Sequence, residues 1–195
     1  ERAVSASEGL ARRRSDAVVV TIFVNPLQFN QPTDFDQYPR PIDDDLVACR
    51  AAGVDAVYAP TSATMYPPGF QTHVVPGDLA ERLEGPMRPG HFRGVTTVVT
   101  KLFTATAADV AVFGQKDFQQ LAIIRRMVAD LDLGVEIVGH PTVREPDGLA
   151  RSSRNARLTP DDRAVAVVIA HALSRVVTRY DDGERDATTL RALAV

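Results

Sequence analysis

The stretch Asp109–Gln120 constrains the fold of this chain most strongly. Its apolar run, Val110–Phe113, predicts a strand buried on both faces, and Gly114 ends that run. The apolar spacing of a helix follows over Phe118–Leu131. In an open parallel sheet, ligands bind where strands end and helices begin, and a helix N-terminus there attracts anions. Because Lys116 lies at this junction, the stretch predicts a strand–turn–helix unit with a phosphate site.

Strand and helix patterns alternate along the rest of the chain. The β-branched run Ala17–Val24 predicts a central strand, Ile42–Ala52 a helix, and Val54–Ala59 the next strand. Further helices are predicted over Val95–Thr106 and from Thr159 to Tyr180. This alternation predicts an α/β fold, a Rossmann-like doubly wound parallel sheet.

The segments between these elements are expected to be mostly irregular. Asn30–Pro41 reads as a loop over the ligand edge of the sheet, and Thr72–Val75 as a brief strand. Glu84–Gly94 carries too much glycine and proline for either element. A lone histidine in such a loop is more often a surface group than a functional one, and His91 is interpreted in that way.

Composition excludes several classes of protein. The net charge of −3 gives no reason to expect a nucleic-acid partner, and the run Arg12-Arg13-Arg14 is expected to be a solvated helix end. Cys49 is the only cysteine, so a reducing, cytoplasmic compartment fits and a disulfide framework does not. There is no apolar run of the roughly 20 residues that span a bilayer. Without a starting methionine, the chain is expected to be a fragment.

Polar side chains follow the predicted strands at three places. Asn25 and Gln28 end the first strand, although asparagine before proline is also a common turn starter. Lys116, Asp117 and Gln120 follow the predicted strand Val110–Phe113. Later in the chain, the Ser152-Ser153-Arg154 run offers hydroxyls, N–H groups and a forked cation suited to phosphate, or else an ordinary capped loop.

Acidic residues give weaker signals. Asp43-Asp44-Asp45 opens the helix from Ile42, where three carboxylates complement the helix dipole. A Mg²⁺ site at Asp44 and Asp45 is the alternative. No glycine-rich nucleotide fingerprint, paired-cysteine site or serine–histidine pattern is present, so redox, zinc and acyl-enzyme chemistry are unsupported.

Several segments together resemble the pantothenate synthetase (pantoate–β-alanine ligase) family, in its order and spacing. They are Phe23-Val-Asn-Pro-Leu-Gln-Phe29, Tyr38-Pro-Arg40, Arg88-Pro-Gly-His-Phe92, Phe113-Gly-Gln-Lys-Asp117 with Gln119-Gln120, and Arg144-Glu-Pro-Asp-Gly-Leu-Ala-Arg-Ser-Ser-Arg-Asn155.

The resemblance implies a class I aminoacyl-tRNA-synthetase-like nucleotidyltransferase that works as a homodimer. It implies a Rossmann-like domain over residues 1–180 and the start of a small C-terminal domain over residues 181–195. It further implies that pantoate and β-alanine are condensed with ATP and Mg²⁺ through a pantoyl adenylate. ATP would contact Gly114, Gln115, Lys116, Asp117, Val143, Arg151, Ser152, Ser153 and Arg154, and pantoate or β-alanine would contact Asn25, Gln28 and Gln120. Lys116 and Arg154 are the cations suited to stabilising the charge that develops during phosphoryl chemistry.

The sequence departs from the family pattern in two ways that bear on its expected activity. None of His73, His91, His140 and His171 matches the family's His-x-Gly-His motif, so that motif and the first strand are expected to be missing. The C-terminal domain is expected to be cut short, and the chain alone to turn over poorly or not at all. A different nucleotidyltransferase and a non-catalytic nucleotide-binding or dimerisation module remain the alternatives.

Overall fold

The structure is a computed structural model that describes residues 8–194. The chain divides into two compact units, one up to Pro141 and the other from Thr142 onward. The domain boundary predicted after residue 180 lies inside the second unit and stays a prediction. The helix predicted over residues 1–14 lies partly outside the described residues, of which 8–12 are helical.

The described part of the first unit contains four short strands in two separate parallel pairs. β1 (Val19–Thr21) pairs in parallel with β2 (Ala56–Tyr58), and β3 (Val110–Gly114) pairs in parallel with β4 (Glu136–His140). The register aligns Val20 with Val57 in the first ladder. The strands are only partly buried, which corrects the expectation that β3 is covered on both faces.

After the helical segment 8–12, eight further helices alternate with the strands in the described part of the chain. They are α1 (Pro32–Asp36), α2 (Ile42–Ala51), α3 (Ser62–Met65), α4 (His91–Thr106), α5 (Phe118–Asp130), α6 (Pro160–Ala166), α7 (Val168–Asp181) and α8 (Ala187–Ala192). Three 3-10 turns accompany them, at Pro26–Gln28, Asp78–Glu81 and Ser153–Arg157.

Two arginines from the segment 12–14 form ion pairs at the N-terminal ends of β2 and β4. The Arg12 guanidinium lies 2.6 Å from the Asp55 carboxylate, and that carboxylate also accepts the Val18 amide. The Arg14 guanidinium lies 2.8 Å from the carboxylate of Glu136, the first residue of β4. Residues two apart are separated by at most about 7 Å, so the N-terminal ends of both ladders lie on the same side of the unit. The prediction that the arginine run is a solvated helix end is confirmed, since all three arginines are exposed where the helical segment 8–12 ends, and two of them also pair with carboxylates.

The main core of the first unit lies between α4, α5 and the second ladder. Its buried members are Met65, Val95, Val98, Val99, Phe103, Ile124, Met127 and Val135. The apolar side of α4 predicted from the sequence is confirmed, with Leu102 at its half-buried margin. A smaller cluster joins Ala80, Phe92 and Ile123 under the segment that precedes α4.

Three predicted segments differ from the structure. α1 lies inside the segment expected to be a loop, because Pro32 occupies the first turn of a short helix. α4 begins at His91 rather than Val95, after Gly90 adopts a left-handed conformation. The predicted strand Thr72–Val75 joins neither ladder and bonds to α4 instead, since the Thr97 hydroxyl accepts the Val74 amide and the Thr96 hydroxyl donates to the Val74 carbonyl.

The second unit starts with a small hairpin and continues as helices. The Arg144–Ala150 bridge and the bond from the Arg151 amide to the Val143 carbonyl form the hairpin. The predicted helix from Thr159 begins as expected, because the Thr159 hydroxyl accepts the Asp162 amide. It is interrupted at Val167, and α7 exposes Val168, Ile169, Leu173 and Val177.

Candidate functional site

The turn after β1 carries the first pair of predicted site residues. Asn25 lies just before the 3-10 turn Pro26–Gln28 and its side-chain oxygen accepts the Leu27 amide. Proline fits the first position of such a turn because its ring fixes φ and its missing N–H needs no partner there. Asn25 and Gln28 are therefore brought together, and the Asn25 Nδ2 lies 3.2 Å from the Gln28 Oε1.

The Asn25 side chain is buried and fully hydrogen-bonded, with only 2% of its surface exposed. Its Oδ1 accepts from the Tyr66 hydroxyl at 2.7 Å as well as from the Leu27 amide. Its Nδ2 donates to the Gly94 carbonyl at 3.0 Å and to Gln28. A primary amide offers two donors and two acceptor positions, so all of its capacity is used within the protein. Asn25 is thus placed to orient Gln28.

Tyr66 is a member of this site that the sequence analysis missed. Burial raises the pKa of its phenol to about 12, so the hydroxyl stays protonated at neutral pH and donates to Asn25. It stands 41 positions from Asn25 and belongs to no predicted motif, so the sequence held no signal for the contact.

Gly94 is also required by the geometry, because α4 packs directly on the Pro26–Gln28 turn. A Cβ at this glycine would lie 2.4 Å from the Leu27 carbonyl oxygen and 2.8 Å from the Gln28 amide nitrogen. Both are backbone atoms, which cannot move aside as a flexible side chain could. The close approach sets the position of Gln28 relative to α4.

The Gln28 backbone carbonyl is held by the segment that precedes α4. The buried His91 Nδ1 lies 2.9 Å from this oxygen, so that ring nitrogen carries the proton and donates. The Arg88 guanidinium reaches the same oxygen at 3.5 Å. His91 is therefore no surface group, which corrects the reading that the sequence favoured.

Lys116 and Asp117 stand between β3 and α5, as predicted. The β3–β4 ladder continues by one hydrogen bond, from the Gln115 amide to the His140 carbonyl, before the chain turns. The Lys116 Nζ lies 3.3 Å from the Asp117 carboxylate, and both side chains are exposed. Asp117 precedes α5 without a side-chain capping bond. The junction offers a lysine beside a helix N-terminus, the combination that suits an anion.

The two glutamines in the first turn of α5 have different surroundings. Gln120, predicted to contact substrate, is half-buried. Gln119 is 7% exposed and bonds to the carbonyls of Leu79 and Arg82 and to the Glu84 amide. Helical periodicity turns neighbouring residues toward different directions, so only one of the two can serve as the internal anchor.

The third predicted group directly follows the hairpin of the second unit. Ser152 caps the 3-10 turn Ser153–Arg157, and its hydroxyl oxygen accepts the Arg154 amide at 3.3 Å. Arg151 pairs with the Glu145 carboxylate at 3.0 Å. The Ser152-Ser153-Arg154 run is thus an ordered turn. Lys116 and Arg154 belong to different units, and their convergence on one ligand stays a prediction.

The acidic residues proposed for Mg²⁺ lie in the first turn of α2, where they complement its dipole. Among residues 8–194, no group of three or more His, Cys, Asp or Glu side chains is arranged to hold a metal ion. The metal role of Asp44 and Asp45 therefore gains no support from the geometry and stays a prediction.

Within residues 8–194, no helix combines the length and apolarity that crossing a bilayer needs.

A cavity of about 450 Å³ lies beside α5, away from the Lys116 junction. Its walls come from the segment 74–79 and from the later turns of α5, including Met127 and Leu131. None of the predicted site residues lines it. The cavity is therefore distinct from the predicted nucleotide and substrate positions.

Comparison with known proteins gives one consistent result. The family model described as pantoate-beta-alanine ligase matches residues 9–194. A pantothenate synthetase from Geotalea daltonii is 50% identical over 184 residues, which cover 94% of this chain and 65% of that protein. The chain therefore spans about two thirds of the length of this curated relative.

Solved structures agree with the family match. The pantothenate synthetase of Thermus thermophilus superposes with a TM-score of 0.94 at 47% identity, covering 99% of this chain and 70% of that one. The pantoate-beta-alanine ligase of Francisella tularensis, complexed with beta-gamma ATP and beta-alanine, gives 0.81 at 38% identity, covering 86% and 65%. The predicted α/β nucleotidyltransferase fold with parallel strands is confirmed.

Proposed function

Since the chain belongs to the pantoate–β-alanine ligase family, we propose that its full-length protein condenses (R)-pantoate with β-alanine to give pantothenate. In the first step, a pantoate carboxylate oxygen attacks the α-phosphorus of ATP and pyrophosphate leaves. In the second, the β-alanine amine attacks the acyl carbon of the pantoyl adenylate, AMP leaves, and the nitrogen loses a proton. The observation that carries the proposal is the family match over residues 9–194, which include every candidate site residue.

We assign pantoate to the Gln28 side of the site. Gln28 Oε1 accepts from Asn25, so its NH₂ group is the part suited to a carboxylate or hydroxyl oxygen. Gln120, half-buried on α5, would supply a second neutral amide. Two neutral amides can bind a hydroxy acid without pairing its charge, so the carboxylate remains nucleophilic toward phosphorus. Asn25 acts in this proposal by orienting Gln28.

We assign ATP to the turn that follows β3 and to the hairpin of the second unit. Gly114, Gln115, Lys116 and Asp117 would border the nucleotide, with Asp117 suited to a ribose hydroxyl. Val143, Arg151, Ser152, Ser153 and Arg154 would complete its contacts. Lys116 and Arg154 would stabilise the negative charge on the α-phosphate and on the departing pyrophosphate.

Mg²⁺, homodimer formation and a cytoplasmic location complete the proposal. No metal group held by residues 8–194 supports Mg²⁺, which usually binds through substrate phosphates with few protein ligands, so we expect it to arrive with ATP. The buried free thiol of Cys49 is consistent with a reducing compartment. Dimer formation is supported by exposed apolar side chains on the segment 75–87, namely Val75, Leu79, Leu83 and Met87.

The test is pantoate-dependent ATP–pyrophosphate exchange in the full reading frame that contains this sequence, with the present chain beside it. Lys116→Ala should lower the exchange rate by on the order of 10²–10³ and leave the fold intact, because Lys116 is exposed. The sequence's other lysine gives the matched control, since Lys101→Ala removes a cation that lies over the Phe70 ring. Exchange at the wild-type rate in Lys116→Ala would remove this lysine from the mechanism.

A further inference from the structure

Gln119 stands at the junction between α5 and the segment 79–91 that leads into α4. Its Nε2 donates to the Leu79 carbonyl at 2.9 Å and to the Arg82 carbonyl at 2.6 Å. Its Oε1 accepts the Glu84 amide at 3.0 Å. One nearly buried amide thus fixes three points of the segment, while the neighbouring Gln120 stays half-buried.

The segment 79–91 contains an unusual backbone conformation and a close backbone contact. Leu83 adopts a left-handed conformation with φ +48°, although it carries a Cβ and 75% of its surface is exposed. Gly85 packs so closely that a Cβ there would lie 1.8 Å from the Ala80 carbonyl oxygen. Burial of the Leu83 side chain within this chain does not hold the backbone, which is restrained by hydrogen bonds inside the segment, such as that from the Gly85 amide to the Arg82 carbonyl, and by those of Gln119.

The same segment leads to Gln28. The Glu84 carboxylate, on the residue whose amide Gln119 accepts, lies 3.1 Å from the Arg88 guanidinium. Arg88 and His91 both donate to the Gln28 backbone carbonyl. A continuous set of hydrogen bonds therefore joins the first turn of α5 to the turn that carries Gln28.

We propose that Gln119 is a positioning residue that sets the distance between Gln28 and the α5 junction carrying Lys116 and Gln120. It acts through the segment 79–91 and does not touch substrate. This role rests on the proposed ligase function, because the substrate that spans Gln28 and Gln120 is pantoate. Loss of the anchor should impair pantoate use more than ATP use, since Lys116 and Gly114 precede Gln119 on β3 and its turn.

Gln119→Met in the full-length protein is the main variant, because methionine keeps the length and removes all three hydrogen bonds. We expect the KM for pantoate to rise about tenfold while the KM for ATP changes less than about twofold. Hydrogen exchange measured on peptides covering residues 79–90 should become faster, because the Glu84 amide loses its acceptor. Thr96→Val, which removes a buried hydroxyl bonded to the Val74 carbonyl, is the control for general loss of a buried hydrogen bond.

Glu84→Gln provides a second variant should Gln119→Met fail to fold. It weakens the contact with Arg88 at an exposed position and leaves Gln119 intact, so the KM for pantoate should rise about twofold to fivefold.

Three results would overturn the inference. A folded Gln119→Met protein with unchanged pantoate KM and unchanged exchange in residues 79–90 would show that the anchor does not act on the site. Equal rises in both KM values, matched by Thr96→Val, would show general damage. Wild-type protein without pantoate-dependent exchange of pyrophosphate would overturn the ligase assignment itself, and the substrate role of Gln119 with it.

Discussion

At the scale of single residues, the polar groups at strand ends were predictable and their partners were not. Asn25 and Gln28 could be placed beside each other because both follow one strand within four positions. Tyr66 and Gly94 complete the same hydrogen-bonded group from 41 and 69 positions away. Such contacts depend on tertiary packing, which leaves no local spacing for a sequence pattern to reveal.

Tyr66 gives a prediction about pH. Its folded pKa of about 12 lies above the ordinary value of 10, so the folded state holds the phenol proton more tightly than the unfolded state does. Its contribution to the free energy of unfolding is fully present below pH 10 and is lost as the pH rises through the window from 10 to about 12. In urea unfolding between about pH 9 and pH 12, Tyr66→Phe should lose less stability with rising pH than the wild type. Parallel curves for the two proteins would contradict the shift.

At the scale of elements, the starts of two helices were predicted to the residue. α2 and α5 begin at the predicted residues, because acids or a strand end mark those starts. The errors fall where a segment bonds to side chains of another element or where a left-handed residue lets a helix start early. The segment 72–75 bonds to two threonines of α4, and residues 91–94 join α4 because a left-handed Gly90 allows the chain to enter it. Glycine and threonine content alone does not reveal such pairings.

Gly94→Ala tests the contact between α4 and the turn that holds Gln28. A methyl group placed 2.4 Å from a backbone carbonyl must push the two elements apart, so we expect a loss of about 1–3 kcal/mol in the free energy of unfolding. Pantoate use by the full-length protein should fall as well, because Gln28 moves. Gly77→Ala is the control, since a Cβ there would meet no atom within 4 Å and its φ is −88°. Equal stability of the two variants in urea would contradict the close approach.

At the scale of the whole molecule, the class of fold followed from the alternation of strands and helices, and the division into units did not. The chain separates into two compact units after Pro141, whereas the boundary near residue 180 came only from the family resemblance and stays a prediction. The hairpin 143–151 explains this, because it bonds within itself and is followed by helices of the same unit. Its many turn-forming residues gave no sign that the segment starts a new compact unit.

The proposed homodimer gives a prediction at this scale. Leu83 and Met87 expose 75% and 84% of their surfaces on one segment, so Leu83→Glu combined with Met87→Glu should shift the full-length protein from dimer to monomer. Sedimentation velocity measures the change. Val47→Glu on α2 is the control, because it adds a charge at another exposed apolar position. A double variant that sediments like the wild-type dimer would place the interface elsewhere.

The saturated hydrogen bonding of Asn25 has a thermodynamic consequence for ligand capture. Freezing a rotamer-rich side chain during association usually costs about 0.5–1.5 kcal/mol. This amide has one orientation set by contacts within the protein, namely those with Tyr66, Leu27, Gly94 and Gln28. When a small hydroxy acid binds to Gln28, the Asn25 side chain beside it is therefore already ordered. Its conformational entropy would change little when the complex forms.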